Sequence, residues 1–316
     1  MMYRNSFKLI FSNFGLVWKL LCYFLIILLV TGGISYAVAS PIFNEIGLSE
    51  VLAKFPASFE EFIRSLDVKS FLVQIDNITT EGVNLIVGNF TNIWYLLGIL
   101  AVVSVIIPSM LNNFYLMSTC NVLHYYMGSC TKFGFTASVF VNFWKNVRYQ
   151  LACLVTILPL KLLTYYAVIR SFGILASSSL VVKILAPFII MAIYVILTAL
   201  RVSLFAGWVP FMVVKNANVW SSLVQGFKCI RKRFVQVFAN SLGVVLTIIL
   251  ISVLGLLTFG VSLVITAPAA FLFIATFGMV VFYTCTGLRF YVDNGNVYAP
   301  KKAEMVESYK IYKNVI

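Results

Sequence analysis

The sequence predicts an all-α, polytopic helical membrane protein. It reads as six transmembrane helices in three parallel repeats, each a basic amphipathic helix plus a helical hairpin, with both termini inside. Three observations carry this. The first is composition: of 316 residues, 61% are hydrophobic and only 10% charged, and the mean hydropathy is +0.99. A soluble domain cannot hide that much apolar surface, so the bilayer is the solvent for most of the chain. The second is the form of the apolar runs, which are continuous and roughly twenty residues long, as helices require. Barrel strands are about ten residues and alternate. The third is internal repetition. FKCIRKRFVQVF at Phe227–Phe238 aligns without gaps to FKLIFSNFGLVW at Phe7–Trp18 and to WKNVRYQLACLV at Trp144–Val155. VKNANVW at Val214–Trp220 matches VDNGNVY at Val292–Tyr298 and, more loosely, MSTCNVL at Met117–Leu123. These patterns divide the chain into residues 1–123, 136–218 and 219–298, with a tail over 299–316.

Taken in order, Met1–Lys19 carries Arg4, Lys8 and Lys19, with Phe7, Ile10, Phe11 and Phe14 at helical spacing. It reads as an interfacial helix on the inner face. Leu20–Ala39 is the first span. Ala37-Val38-Ala39 resembles a signal-peptide cleavage site, but the apolar run exceeds a signal core and its leading helix recurs deep in the chain. Residues 40–92 form the one sizeable polar segment and hold seven of the ten acidic residues, which fits an extracytoplasmic loop. Ser58 followed by Glu61 fits a capping box, and Phe59, Phe62, Ile63 and Leu66 make a stripe. The segment is expected to be an amphipathic helical hairpin on the outer leaflet.

Ile93–Leu116 is the second span, Leu151–Ile169 the third, and Arg170–Lys183 an outer turn. From Ile184 apolar character persists to Val214, about 46 Å of helix, longer than a hydrocarbon core. This segment either tilts and projects, or breaks near Gly207–Pro210. The fifth span is about Ala239–Thr258 and the sixth about Ala267–Leu288, with a tight turn over Gly260–Thr266. Pro300–Lys313 reads as a final amphipathic helix on the inner side.

Charge fixes the topology. Sixteen of the 23 basic residues fall in the inner segments, and only Lys54, Arg64, Lys69, Arg170 and Lys183 fall outside. The net charge of +13 therefore marks membrane orientation and attraction to anionic lipid, and nucleic acid is not expected as a partner. None of the six cysteines lies in the outer loop, so they read as reduced thiols and not as a disulfide framework.

The chemistry is as informative for what it lacks. No Asp or Glu occurs between Glu81 and Asp293. Carboxylate relays, carboxylate metal cages and paired-carboxylate catalysis are therefore excluded from the membrane core. The chain has no P-loop, no zinc spacing and one histidine, His124, so no catalytic site, metal or cofactor is expected. Two cations remain inside spans: Lys161, two residues after Pro159, and Arg201 in the fourth span. Charges at that depth cost about 2.5 kcal/mol or more. With no acid in the membrane, their counterion would be a lipid phosphate or an anionic substrate, unless the long stems snorkel to the headgroups. Lys228, Arg231, Lys232 and Arg233, beside Phe227, Ile230 and Phe234, suit inner-leaflet headgroups.

The repeated basic helix, the helix pairs and the Asn-containing turns resemble a group of uncharacterised six-span membrane proteins of Gram-positive bacteria. They are also similar to the membrane domain that precedes some glycerophosphodiester phosphodiesterases. The phosphodiesterase catalytic domain, with its acidic and histidine residues, is absent, so the resemblance implies a bacterial plasma-membrane protein and no enzymatic residues. Two readings follow. One is a non-enzymatic protein that organises lipid or a membrane partner. The other is a permease subunit of an export system whose ATPase is a separate chain. An enzyme acting on lipids is disfavoured by the missing acids and bases. The copies run in one direction, unlike an inverted-repeat transporter.

Overall fold

A computed structural model describes residues 1–65, 67–89, 94–95, 98–100, 102–103, 107–176, 180–258, 262–293 and 296–299. Twelve helices are traced among them: α1 Met2–Ser12, α2 Gly15–Glu45, α3 Leu48–Ser65, α4 Val68–Gly88, α5 Ile107–Ser129, α6 Phe135–Val141, α7 Phe143–Ala176, α8 Leu180–Phe205, α9 Trp208–Val214, α10 Val219–Arg231, α11 Phe234–Leu257 and α12 Leu263–Thr286. One antiparallel hairpin follows, β1 Phe290–Asp293 and β2 Asn296–Tyr298. Five of the helical stretches are long and apolar enough to cross a membrane: Gly15–Glu45, Phe143–Ser171, Leu185–Val214, Phe234–Val253 and Leu263–Thr286. The chain is thus a helical, multi-pass membrane protein. Seven residues of the expected span Ile93–Leu116 and all of Pro300–Lys313 lie outside the described residues.

The chain divides into two compact bodies, Leu25–Asn112 and the pair Met1–Phe24 with Asn113–Ile316. In the first, α3 and α4 form an antiparallel hairpin, as the polar segment predicts. Ile46, Leu48 and Val51 pack on Ile78, Leu85 and Ile86. Phe62 stacks on Phe71 at 4.6 Å, and Lys54 pairs with Glu81 at 2.7 Å. That ion pair is exposed and contributes at most about 1 kcal/mol. The expected capping box is not formed. Ser58 sits inside α3, and its hydroxyl donates to the Lys54 carbonyl. The cap falls instead on α4, where Asp67 accepts from the Ser70 N–H at 3.2 Å. Leu66 lies outside the described residues.

The second body is built around the C-terminal half of α12. Every residue from Ala275 to Thr284 is buried, although a span facing lipid needs only one packed face. It is wrapped by α1, α9, α10 and α11. Packing this tight requires small residues. A Cβ on Gly278 would lie 2.9 Å from the Ala206 carbonyl oxygen, and one on Gly207 would lie 3.1 Å from the Gly226 Cα. These approaches explain where the long fourth apolar run breaks. The helix stops at Phe205, and α9 restarts at Trp208. Pro210 lacks the N–H that would engage the Ala206 carbonyl, and Trp208 Nε1 donates to the Val219 carbonyl at 2.9 Å, folding α10 back on α9.

Several expectations change. The first helix packs one face into the protein core. Met2, Leu9 and Ile10 are buried in the protein core, and the Tyr3 hydroxyl meets Thr247 Oγ1 at 2.8 Å, thirteen residues into α11. Phe7, Phe11 and Phe14 form a second, exposed apolar side. Arg170 is inside α7, which continues to Ala176, so the expected outer turn is much shorter. Met117–Leu123 is not a turn. It lies within α5, whose buried residues continue through Tyr126 and Met127. The turn comes later, where Cys130 takes the same left-handed backbone, φ 53°, as Asn216 before α10. Val292 and Asp293 belong to β1, which pairs antiparallel with β2 Asn296–Tyr298, the one departure from helix among the regular elements of the described residues. Helix α1 ends at Ser12 and α10 at Arg231, one position apart in the alignment of the first and third copies. In the middle of the chain the short helix α6 ends at Val141, so Trp144–Val155 lies wholly inside α7.

Gly278→Ala is expected to lower the thermal midpoint of the detergent-solubilised protein, costing about 1–3 kcal/mol, because the Ala206 carbonyl is backbone and cannot yield. Gly32→Ala, whose added methyl meets nothing within 4 Å, is the control. Intrinsic-fluorescence melting checks both, and equal midpoints would refute the packing argument.

Candidate functional site

The two intramembrane cations lie on facing helices. α7 and α8 run antiparallel: Tyr149 of α7 packs edge-on against Trp208, just past the end of α8, at 5.0 Å. Further along the pair, Lys161 lies within electrostatic reach of Arg201. The convergence follows from helix geometry. Side chains lean toward the N-terminus of their own helix, so on antiparallel helices the two stems tilt toward one depth. Both residues are half-buried.

The surroundings are polar without being acidic. Tyr194, Thr198 and Arg201 fall on one face of α8, at spacings of four and three residues. Tyr165 stands one turn beyond Lys161, and both Tyr194 and Tyr165 lie within electrostatic reach of Arg201. The Thr198 hydroxyl oxygen is buried and has no hydrogen-bond partner among the described residues. The ion pairs Lys54–Glu81 and Arg64–Glu60 both lie in the other body. Two like charges in a low-dielectric seam repel, so the arrangement accepts an anion: two cationic donors with hydroxyls around them.

The second basic cluster is placed differently. Lys228, Arg231 and Lys232 are exposed and Arg233 is half-buried at the junction of α10 and α11. Arg231, Lys232 and Arg233 line an open groove of about 460 Å³ with Phe234, Val235 and Gln236. The apolar partners expected to enter lipid beside them face the protein instead. Ile230 is 2% exposed in the core, and Phe227 packs on Phe205 at 5.7 Å. The cause is the Ser222, Gly226, Ile230 face, which is small enough to dock on α9 and α12. The basic residues therefore form the rim of a packed helix.

Sequence reasoning missed a buried polar layer joining α5, α6 and α7. Asn146 Nδ2 donates to the Phe114 carbonyl at 3.0 Å, Asn121 Nδ2 to Ser138 Oγ at 2.9 Å, and Ser138 Oγ to the Ser118 carbonyl at 3.2 Å. Its signal in the sequence was Asn, Ser and Gln recurring near the ends of apolar runs. It fixes the helices, since most of its groups are satisfied. Among the described residues no set of three or more His, Cys, Asp or Glu side chains is grouped to hold a metal. His124 is structural: its Nδ1 lies 2.8 Å from the Tyr283 hydroxyl and its ring 6.3 Å from the Tyr283 ring.

No family model, no curated protein and no solved structure matches this chain. The resemblance to six-span Gram-positive proteins therefore stands on the sequence patterns alone.

Burial holds the His124 pKa below its ordinary 6.5. The unfolded chain then takes up the proton before the folded one as pH falls through 6.5, so stability is present above that pH and is lost below it. A detergent melting series from pH 7.5 to pH 5 (about the histidine range) is expected to show this loss. His124→Gln should flatten it, and an unchanged slope would refute the assignment.

Proposed function

We propose that this chain is a non-enzymatic integral membrane protein of a bacterial plasma membrane that organises anionic lipid. In this reading it has six spans in three parallel repeats, both termini are inside, and residues 40–92 are extracytoplasmic. One observation carries the functional part: Lys161 and Arg201 converge between two apolar helices, and the sequence supplies no carboxylate from residue 82 to residue 292. A cation pair at that depth needs a counter-charge, and a lipid phosphate is the anion always present in a membrane. The exposed Lys228, Arg231 and Lys232 support the same reading, since each basic residue near an anionic surface contributes about 1 kcal/mol of attraction.

The topology is supported by the excess of basic residues in the segments assigned to the inner side. The repeat is supported by the helix breaks after Ser12 and Arg231, which fall within one position of each other in the aligned first and third copies.

The test is purification in nanodiscs of mixed phosphatidylglycerol and phosphatidylcholine, followed by native mass spectrometry of retained lipid. Wild type is expected to keep phosphatidylglycerol selectively, and the double variant Lys161→Leu, Arg201→Leu to lose most of that selectivity while inserting at least as well. Equal retention by the two proteins would sink the lipid reading. A stoichiometric ATPase in pull-downs from native membranes would replace it with the export-permease reading, the same two residues then lining a pathway.

A further inference from the structure

One residue, Asn142, separates α6 from α7, and the two sides of this junction differ sharply. One side is tied into the protein. Phe135, Ser138, Asn146 and Tyr149 are buried there. Ser138 Oγ donates to the Ser118 carbonyl and accepts from Asn121 Nδ2, and Asn146 Nδ2 donates to the Phe114 carbonyl. Lys145 Nζ adds a tie to Asn216 Oδ1, in the turn between α9 and α10.

The other side is apolar and exposed. Phe140, Val141 and Trp144 are 79%, 74% and 73% exposed. They are not an isolated patch. At spacings of three, four and seven residues, Ala137, Phe140, Val141 and Trp144 continue into Leu151, Val155, Leu162, Tyr166 and Ile169 of α7, all exposed. A single charge, Arg148, interrupts this stripe. Length places its start. The apolar run Phe143–Ser171 has 29 residues. That is about 43 Å of helix, against about 40–45 Å for a bilayer with both headgroup zones. A helix of that length puts Phe143 and Trp144 in the headgroup zone at which α7 begins, and α6 beside them.

We infer that Phe140, Val141 and Trp144 form a lipid-binding surface, a wedge by which α6 enters the leaflet where α7 begins. Two observations favour lipid over a protein partner. The wedge is continuous with the side of α7 that faces hydrocarbon as it crosses the membrane. The cations beside it, Lys132 and Arg148, are both exposed, and their charge complements a phosphate-bearing surface. A tryptophan ring suits the headgroup level, and Arg148, one turn further along, reaches that level by its long stem. The buried polar layer then has a role beyond joining helices. It fixes which way α6 faces, because turning Phe140 inward would break both bonds of Ser138.

The inference rests on α7 crossing the membrane and not on headgroup choice. Unchanged phosphatidylglycerol retention by the Lys161→Leu, Arg201→Leu variant would leave it standing.

The experiment replaces Phe140, Trp144 or, as the reference, Leu162 with the photo-cross-linker p-benzoylphenylalanine, and irradiates each full-length protein in its native membrane. Benzophenone inserts into C–H bonds and not into water, so its products report what covers the site. Intact-mass spectrometry is expected to show phospholipid adducts at positions 140 and 144 as abundant as at 162. Two exposed positions are read separately, so poor folding of one variant leaves the other as the test. A cross-link to a second copy of the chain, a cross-link to another protein, or no adduct at 140 and 144 beside a lipid-labelled 162 would overturn the proposal.

Discussion

The enclosure of the C-terminal half of α12 governs the rest of the molecule. Lipid competes poorly with protein for a helix only where the backbones can approach closely, and here they do. The Ala206 carbonyl and Gly278 meet at one point, and Gly207 and Gly226 at another. Phe277 and Phe282, both essentially unexposed, then fill the space that small residues leave. Once α12 is surrounded, the neighbouring pieces have little freedom. α9 must leave the line of α8 to cover it, α10 must fold back on α9, and α1 must dock between α11 and β1. The short amphipathic helices are therefore core elements with a charged rim. This is why their cations point outward while Leu9 and Ile230 do not reach lipid.

What the sequence made legible follows from which forces leave a periodic trace. Bilayer thickness sets the length of an apolar run directly, so the long helices could be read off. The break near Gly207 was one of two alternatives, since a glycine and a proline both weaken a helix without fixing where it bends. Partner choice left no such trace. An apolar stripe such as Phe227, Ile230 and Phe234 looks the same whether it faces lipid or protein, and only the small residues Ser222 and Gly226 beside it decide. The inner side of α1 was hidden for a related reason. It buries Asn5 and Ser6 with Leu9, and two polar residues break the pattern that periodicity detects. The Met117–Leu123 match failed because a likeness of residues is not a likeness of backbone. Cys130 and Asn216 share the left-handed conformation with no similarity of side chain.

The candidate site was half legible. Lys161 and Arg201 each stood out, because a charge in an apolar run is rare and costly. Their convergence did not, since it depends on the register of two antiparallel helices. That register is set by contacts such as Tyr149 on Trp208, which no spacing in the chain announces. Thr198 was invisible for the opposite reason. A threonine in a span usually returns its hydroxyl to its own helix, as Thr164 does to Leu160, and only its failure to do so marks it.

The two cationic groups differ in what they can discriminate. Lys228, Arg231 and Lys232 stand in solvent at the turn, where ions screen them within about 10 Å, so their attraction to a membrane is broad and weakly selective. Lys161 and Arg201 are half-buried between two apolar helices, beside the hydroxyls of Tyr165, Tyr194 and Thr198, where the same charges interact more strongly than in solvent. Their mutual repulsion is relieved only by an anion that reaches both. A phosphate diester with hydroxyl neighbours meets that demand and a zwitterionic headgroup meets it less well, because its own cation enters the same seam. Under the proposed lipid reading, selectivity for an anionic headgroup would reside in the inner pair, and the exposed rim would supply proximity and orientation.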